Sequence, residues 1–195
     1  MKLLISVVTY NRKEYTKRTL ENILDTIQIP YYLMAVDNNS SDGTQKFLER
    51  HVGLDSLILN PDNYYPGKAT NIAWDQGLKE YPEATHLMRC DNDMMFEKGW
   101  DLKAVEYFER IERLGQLGLD YDGGEGMSGK MYNGMELVEY PGCVGGINIQ
   151  PRHIFEGGTR YDEVRWDDER NSKLQEDAML SKRIKGKGYL VGHTE

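Results

Sequence analysis

Cysteine is nearly missing from this chain. Its 195 residues hold two, Cys90 and Cys143. Two thiols make no disulfide framework, so reduced thiols and an intracellular setting are expected. Long apolar runs are missing too. No stretch approaches the roughly 20 apolar residues of a membrane span, so no transmembrane segment is expected. The N-terminal run from Leu3 to Val8 is too short for a signal peptide, and polar residues follow it at once. A cytoplasmic protein is the expectation. Positive charge is in deficit, with a net charge of −8. That argues against nucleic-acid backbone as a partner, unless a local basic groove provides for it. Internal repeats and low-complexity linkers are also lacking. What remains is a globular balance of 29% charged and 39% hydrophobic residues. The length suits one domain with a sizeable core.

The first half alternates strand and helix. Leu3 to Thr9 is a continuous β-branched and apolar run, as in a strand buried on both faces. From Lys13 the period becomes helical, with Thr16, Leu20, Ile23 and Ile27 on one face and Pro30 as the stop. Tyr32 to Val36 reads as a second strand and runs into a loop of capping residues, Asp37-Asn38-Asn39-Ser40-Ser41-Asp42-Gly43-Thr44. A helix to about His51 follows. Ser56 to Leu59 is a short strand. Gly67-Lys68 leads into a helix carrying Ala69, Ile72, Ala73 and Leu78, and Thr85 to Cys90 is a fourth strand. This alternation implies a parallel sheet with right-handed crossovers. Ligands of such sheets bind beyond the carboxyl ends of the strands. Three polar stretches fall there: Thr9-Tyr10-Asn11, Asp37 to Ser40, and Asp91-Asn92-Asp93. They should converge in one crevice.

Three phosphate-binding patterns are absent. No Gly-x-Gly-x-x-Gly follows the first strand, no Gly-x-x-x-x-Gly-Lys-Ser/Thr occurs, and the Gly-rich loop of sugar nucleotidyltransferases is missing. The second half reads less regularly. Asp101 to Leu114 is an amphipathic helix with Ala104, Val105, Phe108 and Ile111 on one face. Gly115 to Gly134 is glycine-rich and irregular. Leu137 to Tyr140 and Cys143 to Ile149 read as strands, the second with Gly145-Gly146 inside it. Such glycines often mark close approach by a ligand or another backbone. Arg152 to Thr159 is a turn or short helix, and Arg160 to Lys173 is polar and mostly loop. Gln175-Glu176-Asp177 opens a last helix, before a strand ending at His193.

Two carboxylate sets carry the chemistry. Asp91 and Asp93, spaced i and i+2 on an extended chain, point to one side. A hard divalent cation would relieve their repulsion and bridge to a diphosphate, while the plain alternative is a solvated turn. In the last helix, Asp177 falls within about 20° of Ile184 at 100° per residue, so it points inward with the apolar face. Glu176 is about 100° from Asp177, at the flank. The inward Asp177 either caps the helix dipole or does acid/base work in a pocket. His193 is a structural or solvated residue, or a metal ligand.

Taken together, Ser6-Val7-Val8-Thr9-Tyr10-Asn11-Arg12, Asp37 to Thr44, Gly67-Lys68-Ala69-Thr70-Asn71, Asp91-Asn92-Asp93 and Glu176-Asp177-Ala178-Met179-Leu180 resemble the family 2 glycosyltransferases, in the family's order and near its spacing. The resemblance covers almost the whole chain. It implies an α/β GT-A (Rossmann-like) fold, a three-layer αβα sandwich with a mostly parallel central sheet. One catalytic domain over 1–195 is implied, with a nucleotide-binding half over about 1–93 and an acceptor half over about 94–195.

The implied reaction is inverting transfer of a sugar from a nucleotide-diphosphate donor, typically a UDP-sugar, to a glycan or other hydroxyl acceptor, with Mn2+ or Mg2+. By position, Thr9, Asn11, Arg12, Asp37, Asn39, Lys68, Asn71, Asp91 and Asn92 would contact the donor. Asp93 and His193 would hold the metal, Asp177 would be the base with Glu176 beside it, and Gly145-Gly146 would face the acceptor. Thr70 stands where relatives often have Arg, and Lys68 is the nearest substitute charge. The Gln-x-x-x-Arg-Trp signature of processive synthases is absent, so transfer of one sugar is expected. The rival readings are a sugar nucleotidyltransferase and a nucleotide-sugar binding module without transfer.

Overall fold

The computed structural model describes residues 1–119, 129–139, 145–163 and 176–194. The glycine-rich stretch over 120–128, Tyr140, Cys143, the polar stretch over 164–173 and Gln175 lie outside the described residues. In chain order the elements are β1 (Leu3–Thr9), α1 (Lys13–Thr26), β2 (Tyr31–Asp37), α2 (Thr44–Leu48), β3 (Ser56–Leu59), α3 (Tyr65–Glu80), β4 (His86–Asp91) and α4 (Trp100–Arg110). There follow β5 (Leu114–Gly118), β6 (Gly129–Tyr132), β7 (Met135–Val138), β8 (Ile147–Pro151), α5 (Arg152–Glu156), α6 (Glu176–Gly186) and β9 (Leu190–Thr194).

One sheet runs through both halves of the chain, in the order β3-β2-β1-β4-β8-β5-β9-β7-β6. The first four strands are parallel. β8 then enters antiparallel between β4 and β5, and β9 lies parallel to β5. Because side chains alternate along a strand, each strand feeds two cores. Leu3, Ile5 and Val7 face α1, α2 and α4. Leu4 and Val8 face α3, α5 and α6. Helices on both faces of one sheet make the three-layer sandwich.

The second half differs from the sequence reading. The helix expected to reach Leu114 ends at Arg110, where Ile111 turns extended and Arg113 takes a positive φ of 64°. Leu114 to Gly118 is then a fully buried strand, β5, flanked by β8 and β9. The glycines at 115 and 118 read as irregular, but Gly115 packs where a Cβ would lie 2.6 Å from Ile184. Close packing of α6 on the strand, not flexibility, explains that glycine. Asn133-Gly134, with φ of 47° and 81°, makes the tight turn between β6 and β7. Asn-Gly is the dipeptide that a two-residue hairpin favours. The strand expected over Cys143–Ile149 runs instead from Ile147 to Pro151.

Asp101 is wholly buried in α4 and accepts from the backbone N–H groups of Gln28 and Ile29, so this carboxylate belongs to the scaffold. His86, at the opposite end of β4 from Asp91, lies edge-on to Phe108 with ring centroids 4.7 Å apart. Burial first, then the charges of the N-terminus and His153, push its imidazole from 6.5 down to about 4. The unfolded chain therefore binds a proton there that the folded chain refuses, and stability is lost as pH falls through that window. Replacing His86 with Gln is expected to recover about 2 kcal/mol of the loss between neutral pH and about pH 4. Urea unfolding at each pH reads the difference, and parallel pH dependences for both proteins would defeat the assignment.

Candidate active site

The parallel register brings three strand exits level. Thr9 pairs with Asp37, and Val8 with Asp91. The chain leaves β1 through two left-handed residues, Asn11 at φ 58° and Arg12 at φ 60°. That conformation is uncommon outside glycine, and here it is held from the next loop. The Asn11 N–H donates to Ser40 Oγ at 2.7 Å, and Asn11 Oδ1 accepts from the Ser41 N–H at 2.9 Å. Asn92 ties this loop to β4. Its Nδ2 donates to Thr9 Oγ1 at 3.1 Å, to Thr16 Oγ1 at 3.0 Å and to the Asn11 carbonyl at 3.3 Å. Thr9, Asn11 and Asn92 therefore build the floor of the crevice by bonding one another. Asp37 is wholly buried. Its Oδ2 accepts from the Ser40 N–H and Gln45 Nε2, both at 2.8 Å, while its Oδ1 has no hydrogen-bond partner among the described residues.

A cleft of about 300 Å³ opens over this floor, lined by Tyr10, Arg12, Asn38, Tyr65, Asp91 and Asp93 among others. At its mouth Arg12 Nη1 meets Asp93 Oδ2 at 2.7 Å, with both side chains well exposed. Tyr65, in a left-handed conformation at the start of α3, was not singled out from sequence. A tyrosine beside Pro66 carries no periodic signal of its own.

The second cluster centres on Arg89, which the sequence reading passed over. It is 2% exposed, in the interior of β4. Its Nε donates to Asp91 Oδ1 at 3.1 Å, and its Nη1 donates to Asp177 Oδ1 at 2.5 Å and to Glu176 Oε1 at 3.3 Å. Burial opposes the charge, but Asp91 and Asp177 outweigh it and hold the guanidinium well above its usual range. One signal was available. A charge inside an apolar strand needs a buried partner, and Leu87-Met88-Arg89-Cys90 is such a strand.

The orientation of the last helix also needs correction. Glu176, expected at the flank, is the buried residue, with 3% of its side chain exposed against 13% for Asp177. The inward face of α6 is formed by Leu180, Ser181 and Ile184, and Glu176 stands four residues before Leu180, directly below it. Gly67 makes room for it: a Cβ there would lie 2.6 Å from the Asp162 carbonyl and 3.1 Å from Glu176 Cγ.

The remaining expected residues divide. Gly146 abuts Asp91, whose N–H donates to the Gly146 carbonyl at 2.9 Å; a Cβ on Gly146 would stand 2.8 Å from Asp91 Oδ2. The Gly145 carbonyl accepts from Asn148 Nδ2. Asn71 grips the backbone of Tyr161 on both sides, its Nδ2 donating to the carbonyl and its Oδ1 accepting from the N–H. Lys68 Nζ sits 4.1 Å above the Tyr64 ring. Asn39 is exposed in the loop after β2 at φ 63°. His193 is buried on β9 beside Gly118 and Val138. β9 stands three sheet positions from β4, or about 14 Å at the usual strand spacing. Among the described residues no three His, Cys, Asp or Glu side chains are grouped to hold a metal ion.

Comparison with solved structures gives the same architecture. A mannosyltransferase, PcManGT from Pyrobaculum calidifontis, in complex with GDP-Man and Mn2+, superposes with a TM-score of 0.69 at 16% identity, over 98% of this chain and 54% of that one. S. aureus TarS 1-349 gives 0.71 at 18% identity, over 99% of this chain and 58% of that one, and its complex with UDP-GlcNAc gives 0.71 over 99% and 56%. The chain thus spans a little over half the length of these solved chains. They share the GT-A fold with it. No curated protein sequence matches it. The sequence model of glycosyl transferase family 2 matches residues 4–155, and the chain belongs to that family.

Proposed function

We propose that this protein is a metal-dependent inverting glycosyltransferase, moving one sugar from a UDP-sugar to an acceptor hydroxyl. One observation carries the reading. A single guanidinium, that of Arg89, touches both Asp91 at the cleft and Asp177 at the head of α6. A carboxylate fit to seat the donor and a carboxylate fit to take a proton therefore stand one side chain apart. Inversion needs that pairing, because the acceptor hydroxyl attacks from the side opposite the leaving diphosphate and must lose its proton there. The buried Glu176 is poorly reached, so Asp177 is the base and Glu176 anchors the helix.

On the donor side, Asp37 Oδ1 is a buried acceptor suited to an N–H of the nucleobase. Asp91 would take the ribose. Thr9, Asn11 and Asn92 serve by shaping the floor, and Asn71 by holding Tyr161. Asn39 and Lys68 lie outward, within reach of the nucleotide only from the rim. Gly145-Gly146 would admit the acceptor beside Asp91. Relatives in complex with GDP-Man, UDP-GlcNAc and Mn2+ support the class of donor and of cation.

Asp93 fits a Mg2+ or Mn2+ ion, since such sites commonly use one or two carboxylates and complete their shell with substrate phosphates and water. The Arg12–Asp93 pair is exposed and worth at most about 1 kcal/mol, so it presents little obstacle to a cation. Once released, Arg12 would be free to meet the diphosphate. A cation bound there would offset the negative charge building on the leaving group. The reading depends on Asp93 for this and not on His193.

Thermal unfolding against a panel of nucleotide sugars with Mn2+ tests the proposal. A UDP-sugar at a hundredfold excess over its Kd is expected to raise Tm by about 5 °C. Release of UDP and free sugar on prolonged incubation marks a transferase. Pyrophosphate chemistry marks a nucleotidyltransferase, and binding without either product marks a binding module. Stabilisation by no nucleotide sugar would sink the proposal.

A further inference from the structure

We infer that Arg89 is a positioning residue for the reaction: it fixes the Asp177 carboxylate relative to Asp91, and so determines how the base meets the acceptor. The inference rests on the transferase reading above. Within the strand Asp91 is the acidic partner of Arg89. The neighbours Leu87, Met88 and Cys90 are apolar and buried, and an apolar side chain at position 89 would avoid the cost of desolvating a cation. The guanidinium is instead held along its edge and on one face. Its planar fork presents five N–H donors, and three carboxylates, of Asp91, Glu176 and Asp177, gather along its edge. Its face stacks on Tyr161, 5.2 Å from the ring centroid.

Tyr161 is fixed in turn. Its hydroxyl exchanges hydrogen bonds with the Asn148 side chain at 2.9 and 3.1 Å, and its backbone is gripped by Asn71. Asn148 continues to the Gly145 carbonyl at 3.0 Å. Arg89 is thus the middle of a chain of contacts from α3 and β8 to the first turn of α6. This chain of contacts joins the donor-side carboxylate to the base. A side chain so constrained can hold a carboxylate within the narrow tolerance that an aligned attack needs. Lysine could supply the charge but not the fork, and would reach one carboxylate where arginine reaches three.

The test compares Arg89→Met/Glu176→Gln with Glu176→Gln alone. Arg89→Met by itself would leave Glu176 buried without its cation and could fail to fold, and the second substitution removes that charge. Each full-length variant is assayed with Mn2+ and the UDP-sugar that the wild type consumes, reading UDP release across pH. Relative to Glu176→Gln, the double variant is expected to lose about 100-fold in kcat while its KM for donor stays within about tenfold. The acid limb of its kcat profile should move up by about one pH unit, because a cation beside the base is gone. Arg89→Lys should return the limb but not the full kcat.

Equal kcat and equal profiles in the double variant and Glu176→Gln overturn the inference. Asp177→Asn, assayed alongside, separates the two levels. If it is inactive while the double variant matches Glu176→Gln, the role of Arg89 fails alone. If it turns over normally, the base assignment fails and takes the inference with it.

Discussion

Asp177→Asn is expected to bind the donor as the wild type does and to transfer sugar about 1,000-fold more slowly. The substitution keeps the shape of the side chain. Its amide carbonyl can still accept from Arg89 Nη1, which now meets Asp177 Oδ1 at 2.5 Å, so the first turn of α6 should stay in place. What disappears is the capacity to take a proton. Asp177 is the less buried member of the acidic pair, at 13% exposed against 3% for Glu176, so of the two it is the one an acceptor hydroxyl would meet. Calorimetry with UDP and Mn2+ should return an unchanged Kd. Normal turnover of the variant would move the base to another residue. Loss of donor binding along with turnover would show that Asp177 serves the donor and not the acceptor.

Asp93→Ala is expected to abolish the dependence of UDP binding on Mn2+ and to weaken binding in its presence by about 10- to 100-fold. That is the range of a lost charge-assisted contact of about 1.5–3 kcal/mol. The fold should be indifferent. The partner left behind, Arg12, is 60% exposed in its side chain, and breaking an exposed pair of this kind costs about 1 kcal/mol or less. A melting temperature near that of the wild type therefore accompanies the loss of affinity. Undiminished affinity with Mn2+ present would remove Asp93 from the metal site and turn attention to Asp91.

The two sets of acidic residues were unequally legible. Asp91, Asp93, Asp37 and Asn11 could be placed at one crevice because each stands at or just past the end of a strand whose apolar pattern is local, and parallel strands bring such ends level. Helical phase turns Asp177 inward, but the same argument puts Glu176 at the flank. The face of α6 is set by what it packs against, and Leu180 with Ser181 draws Glu176 inward. Asn71 and Asn92 stood in recognisable motifs, yet they bond to Tyr161 and to Thr9 and Thr16. A motif fixes the residue type at a position. It does not say whether the side chain meets a ligand or a neighbour.

The sequence by itself determined the alternation of the first half, the crevice at the strand ends, and the carboxylates that fall there, because hydrophobic period and short crossovers are properties of neighbouring residues. Tertiary structure decided the insertion of β8 between β4 and β5, the conversion of Leu114 to Gly118 into a central strand, and the partners of Arg89. Sheet order and the pairing of a buried charge join residues 87 positions apart, as Arg89 and Glu176 are. Their energy depends on which surfaces meet when the chain closes, and no local pattern carries that information.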